Sequence, residues 1–306
     1  MLGRVAVFMV PLLLVVVWLA RRSGRSQGPL ELDPSRQAVV IAGHRTAFIW
    51  RWVGLVIGVV AAALTASVGV PGLGVMLAPT VFGLAVIGGV VVGELATIPP
   101  REGVRSASLE TRTVGNYLPR RLGGLVAGST LGLGALLFTT TLMGSTDDLG
   151  RAGRSLSRQC SPDRFTSTGP WPGLYYSVPL AIAVLLGLLG AAVALHTVVL
   201  RPRSESAPEL VVADDVLRSR SAEAVVAATG VMMAASTLGV ALTAGGALVG
   251  FDCAPISWTV HGVALLGVGV LMLLLAVSCL AVLLSGPRVR RMVSADRAAA
   301  GREASR

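Results

Sequence analysis

Side chains able to do acid–base, nucleophilic or metal chemistry are few in this chain and far apart. Its three histidines, His44, His196 and His261, fall on different segments, and neither His-Glu-x-x-His nor Gly-x-Ser-x-Gly occurs, so no helix presents the paired ligands or the nucleophile turn those patterns supply. Lysine is absent, and all 26 basic residues are arginine. A phosphate-binding loop therefore lacks its lysine, and a Schiff base to pyridoxal phosphate or retinal lacks its amine. The sequence predicts no catalytic, cofactor-binding or metal-binding set. The remaining polar candidates are Glu94, His196, His261 and Asp252. Glu94 precedes Pro99-Pro100 and is expected at the end of an apolar span, where a carboxylate reaches water. His196 lies little more than a turn from Arg201 and His261 about a turn from Trp258, which predicts boundary positions for both.

The cysteines carry a sharper expectation. Cys160 and Cys253 fall in segments that the topology below places on the oxidising side, whereas Cys279 lies within an apolar span. A Cys160–Cys253 disulfide is predicted, with Asp252 beside it. Around Cys160 lie Asp147, Asp148, Arg151, Arg154, Arg158, Asp163 and Arg164, read as a solvated loop face in which surface ion pairs add little stability. Hydroxyl residues enter the apolar stretches at Ser129, Thr130, Thr139, Thr140, Thr141, Ser236, Thr237, Thr243 and Ser278. Such groups either line a polar path or, more commonly, bond back to their own helix. Gly54-x-x-x-Gly58, Gly89-x-x-x-Gly93 and Gly246-x-x-x-Gly250 have the spacing that lets helices approach closely in lipid, and Pro79 is a candidate kink.

What must position these groups is a set of membrane helices. Hydrophobic residues make up 53% of the chain, charged residues 14%, and mean hydropathy is +0.75, whereas soluble domains carry about 25% charged residues. A bilayer core about 30 Å thick requires about 20 apolar residues per helix. Seven such windows occur, at 5–20, 52–70, 75–92, 125–143, 178–200, 224–248 and 259–284. The expected fold is all-α: a polytopic transmembrane helix bundle of about seven spans, one N-terminal helix plus three helical hairpins, forming a single integral membrane domain over 1–306. The first window follows Arg4 and is open to a secretory-signal reading. Arg21-Arg22 after it, with no small-residue cleavage site before them, favours a retained anchor.

Orientation follows from charge. With the N-terminus outside, 21 of the 26 arginines fall in cytoplasmic segments, as the positive-inside rule requires. Trp18, Trp50 and Trp52 then lie at the inner boundary and Trp171 and Trp258 at the outer one, joined by Tyr175 and Tyr176. The longest segment between spans is the outer loop 144–177, below the roughly 40 residues that usually fold alone. The cytoplasmic tail 285–306 carries Arg288, Arg290, Arg291, Arg297 and Arg302, whose expected partners are anionic lipid headgroups rather than nucleic acid.

The absence of lysine, the segment Asp147-Asp148-Leu149-Gly150-Arg151-Ala152-Gly153-Arg154 and the Pro170-Trp171-Pro172-Gly173 approach to the fifth span resemble uncharacterised multi-pass integral membrane proteins of actinobacteria. The resemblance implies residence in the plasma membrane and supplies no catalytic residues. Three function classes remain. The leading expectation is a non-enzymatic accessory or interaction component of a cell-envelope or transport complex, with a membrane-protein partner. The second is a small-molecule permease or exporter, acting as a facilitator or driven by a partner. The third is an intramembrane enzyme drawing Glu94 and His196 into one pocket.

Overall fold

The computed structural model describes residues 30–32, 34–67, 72–96, 115, 117–200, 208–285 and 289–291. Six helices dominate: α1 (Pro34–Ser67), α2 (Leu73–Ala96), α3 (Arg120–Met143), α4 (Leu174–Leu200), α5 (Pro208–Val249) and α6 (Ile256–Leu283). All six are long and apolar enough to cross a membrane. The window 5–20, expected as a seventh span, lies outside the described residues, as does most of the basic tail. Four short strands complete the described residues: β1 (Leu30–Leu32), β2 (Leu156–Ser161), β3 (Arg164–Thr168) and β4 (Val289–Arg291). β1 pairs in parallel with β4, joining the approach to α1 to the exit from α6.

The bundle is organised around α5. In its apolar segment 78% of residues are buried, against 17–39% in the other five helices, so α5 is the central helix and the rest surround it. Its sequence allows this, because Ala, Val, Gly and Met crowd the stretch Ala222–Ala244 and small side chains let neighbours approach on every side. Met232 fits between Gly83 of α2, where a Cβ would collide with the Met232 Cα and Cβ, and Gly187 of α4, which faces its Sδ and Cε. Gly230 faces Cys279 of α6 and Val126 of α3. The outer faces are apolar: Val56, Val60 and Leu64 on α1, Leu131 and Phe138 on α3, and Leu185 and Leu189 on α4 are all exposed. Faces of that extent are solvated by acyl chains, and continuous helices satisfy their own backbone groups there.

Two of the three glycine spacings hold helices together. A Cβ on Gly89 would lie 2.6 Å from the Trp50 carbonyl oxygen and 2.7 Å from the Gly54 Cα, so α1 and α2 touch backbone to backbone. The third spacing does not act this way. Gly246 faces open space, and it is Gly245, one residue earlier, that meets Gly262 of α6.

At one end of the bundle, the segment between α3 and α4 forms a folded cap. β2 and β3 pair as an antiparallel hairpin, and the register slips between Gln159 and Ser161, leaving Cys160 in a bulge. A disulfide joins Cys160 to Cys253 in the α5–α6 turn, with Cα atoms 5.9 Å apart. Beneath it Leu156, Trp171, Ala244, Leu248 and Phe251 make a second small core. Trp171 thereby departs from the aromatic-belt expectation: it is 1% exposed, and its Nε1 donates to the Thr140 carbonyl in the last turn of α3 at 2.7 Å. An indole at a membrane boundary faces protein as readily as headgroups, and here a terminal helix carbonyl gives its N–H a partner. Alkylation of the unfolded, non-reduced protein is expected to modify only Cys279. Modification of all three cysteines without reductant would disprove the bridge.

Candidate functional site

The end of the bundle opposite the cap gathers its buried charges. Arg51, on α1 just where the apolar run begins, is 4% exposed, and Glu94, near the end of α2, is 8% exposed. Arg51 Nη2 lies 3.6 Å from Glu94 Oε1. Glu94 Oε2 accepts a hydrogen bond from Ser221 Oγ of α5 at 2.5 Å. Arg51 Nη1 donates to the Leu283 carbonyl at 3.3 Å, in the last turn of α6. Arg218 of α5 is 2% exposed and donates through Nη1 to the Val198 and Val199 carbonyls of α4, at 3.2 and 2.8 Å. Beside them Arg220 Nη1 pairs with Glu223 Oε2 at 3.1 Å.

Each arginine answers a local need. The last carbonyls of a helix have no intrahelical donor and carry partial negative charge, so a guanidinium there supplies both hydrogen bonds and a favourable charge. Arg51 does this for α6 and Arg218 for α4, while Glu94 balances Arg51 and draws α5 in through Ser221. Five of the six helices are thus tied at one end by a connected polar group. Arg51 Nε is buried and has no hydrogen-bond partner among the described residues. Glu94 departs from its expected position in water, because the helix continues through Arg51 and brings the two side chains face to face under Ser221.

The sequence candidates are not brought together. His196 is exposed on α4, two residues before the Val198 carbonyl that accepts from Arg218, and no hydrogen bond or ion pair among the described residues joins it to Glu94 in one pocket. His261 is exposed, with Nδ1 2.6 Å from the Ser257 carbonyl oxygen. Asp252 pairs at 3.7 Å with Arg164, both side chains being largely exposed. No group of three His, Cys, Asp or Glu side chains with metal-binding geometry occurs among the described residues. Arg51, Arg218 and Ser221 are site residues that the sequence reading left in cytoplasmic segments; the signal for Arg51 was its position directly against an apolar run.

Eight of the nine hydroxyls named in the apolar stretches bond back to their own helices. Ser129, Thr130, Thr139, Thr140, Ser236, Thr237, Thr243 and Ser278 each donate to a carbonyl three or four residues earlier. One pair also bridges helices: Thr80 Oγ1 and Ser236 Oγ lie 2.7 Å apart between α2 and α5. Thr80 follows Pro79, whose ring packs near Gly239, so the turn of α2 that contains the proline is held against the central helix.

At the cap, Asp147 organises the loop. Its Oδ2 accepts from Arg151 Nε at 2.7 Å and from Arg154 Nη1 at 2.8 Å, while Oδ1 accepts from the Arg151 and Leu149 amides. Gly153, at φ 71°, supplies the left-handed turn that lets this loop lie against the start of α4. Partial loss of hydration favours the neutral acid, but the hydrogen bonds from Arg154 and from the Arg151 backbone and side chain prevail, holding the Asp147 carboxyl well below the usual carboxylate range. Arg154 is held above its ordinary value, first by Asp147 and then by the Tyr176 hydroxyl. Because the folded-state value of Asp147 is depressed, its stabilising contribution is complete above the unfolded value, about 4, and is lost as pH falls toward the folded value. The cap of Asp147→Asn is expected to be cleaved faster by added protease than the wild type at pH 7, with the two rates converging in strong acid; equal rates at pH 7 would contradict the arrangement.

Compared with family models, curated proteins and solved structures, the chain matches none of them.

Proposed function

We propose that this chain is a non-enzymatic integral protein of the plasma membrane that serves as an accessory or interaction component of a cell-envelope or transport complex. Its C-terminus is cytoplasmic and the disulfide-tied cap faces outward, the arrangement that puts the 21-arginine majority inside and the disulfide on the oxidising side. If the window 5–20 is a further span, the N-terminus is outside. The observation that carries the functional reading is the state of the span hydroxyls: they donate to their own helices around a central α5 packed with small side chains. A permeation path needs those hydroxyls turned toward a shared water-filled space, so the packing weighs against the permease reading. Glu94 engaged by Arg51 and Ser221, with His196 exposed on α4, weighs against the intramembrane enzyme.

The test is extraction in lipid nanodiscs directly from the native membrane, followed by mass measurement of the intact particles. A complex of fixed stoichiometry with another membrane protein supports the reading. A lone monomer, combined with solute flux after reconstitution into sealed vesicles, would replace it with the permease.

A further inference from the structure

At the cap end, arginines lie over aromatic rings at the head of two lipid-facing helices. The guanidinium carbons of Arg151 and Arg154 are each 5.9 Å from the centroid of Tyr175, the second residue of α4. That of Arg158 is 5.4 Å from Trp258, the third residue of α6. Beyond Tyr175 the exposed face of α4 continues through Val178, Ile182 and Leu185; beyond Trp258 that of α6 continues through Val260, Val263 and Val270. In both places a cation held on a ring tops an apolar track about one acyl chain long.

The guanidinium groups at these heads are not all engaged by carboxylates. One carboxylate oxygen of Asp147 serves both Arg151 and Arg154. No ion pair joins Asp148 to either, and none joins Arg158 to a carboxylate among the described residues. The Arg151 bond to Asp147 uses Nε, and its side chain remains 25% exposed. A ligand complementary to this surface has a negative head at the boundary and an apolar body along the helix. A second protein chain would have to match the tracks on two separate helices as well as the cations, whereas a phospholipid matches each track singly.

We propose that Arg151 and Arg158 form headgroup sites for anionic phospholipids in the leaflet at the cap end, with acyl chains lying along α4 and α6. Arg154 positions Tyr175 and Asp147 beneath the first site. Binding there places lipid against both anchor points of the cap, the start of α4 and the disulfide-linked turn before α6.

The test uses the full chain purified in detergent and titrated separately with phosphatidylglycerol and phosphatidylcholine, with retained lipid counted by native mass spectrometry. Wild type is expected to prefer phosphatidylglycerol. Arg151→Gln and Arg158→Gln should each weaken that preference roughly fivefold, as expected for one cation at a membrane surface, and the double variant should weaken it by the product. Arg151→Lys should retain most of it, because the charge is kept. Protection of the buried Cys279 thiol from alkylation in the native, non-reduced variants reports that they keep their fold. An unchanged preference in the double variant, or its complete loss when only the tail arginines 288, 290, 291, 297 and 302 are neutralised, would overturn the proposal.

Discussion

Glu94→Leu alone is expected to destabilise the protein by about 3–5 kcal/mol, because it leaves the Arg51 guanidinium buried without its counter-charge. The same change made together with Arg51→Met should recover most of that loss, since apolar side chains of similar volume often replace a buried ion pair at no net cost. The physical reason is the 4% and 8% exposure of the two partners, which keeps water from compensating either charge. The remaining bonds predict a hierarchy. Ser221→Ala removes one hydrogen bond to Glu94 and should cost about 1–3 kcal/mol, less than loss of the carboxylate. Arg51→Met alone also removes the donor to the Leu283 carbonyl, so it should fray the end of α6 as well. Thermal unfolding in detergent, read from the reactivity of the buried Cys279 thiol, measures all four variants. A double variant as unstable as the sum of the singles would show that the two residues do not act as a pair.

Trp171→Ala is the second large effect, at about 3–5 kcal/mol for removal of a fully buried indole. Its consequence is local to the cap, because the ring packs with Leu156, Leu248 and Phe251 while its N–H bonds to the Thr140 carbonyl. Trp171→Phe keeps most of the apolar contact and loses the donor, so it should cost only about 1–3 kcal/mol. Limited proteolysis within 148–164 should rise strongly for the alanine variant and modestly for the phenylalanine one. Equal, wild-type cleavage of both would mean the indole faces lipid headgroups after all.

Much of the bundle was legible because uninterrupted apolar runs of bilayer length have few alternatives. The boundaries were less so, and the misses have a common cause. Arg51 and Arg218 count as loop residues when charge marks the end of a span, yet both continue a helix whose neighbours supply carbonyl acceptors at the same depth. The polar beginning of α5 likewise reads as a connecting loop, although it extends an apolar helix already nucleated downstream. The hairpin strands Leu-Ser-Arg-Gln-Cys-Ser and Arg-Phe-Thr-Ser-Thr show too little alternation to stand out, and they are stabilised by the disulfide and by Trp171 beneath them. Cysteine arithmetic did identify the bridge, because only two of the three thiols lie outside apolar spans. Glycine spacing located the α1–α2 contact but missed Gly245 by one residue, since a helix face is set by its neighbours rather than by a repeat alone.

The most direct test of the closed-bundle account is the water accessibility of its centre. Single cysteines introduced at Ser236 and Thr237, in a Cys279→Ala background that keeps the disulfide, would be treated with a charged, membrane-impermeant maleimide in sealed vesicles of each orientation. Leu149→Cys, exposed on the cap, provides the positive control from that side. The account predicts labelling of Leu149→Cys alone, with Ser236→Cys and Thr237→Cys reacting only after denaturation. Labelling of either central position from one side, at a rate near that of the control, would show an aqueous path through the bundle and contradict it.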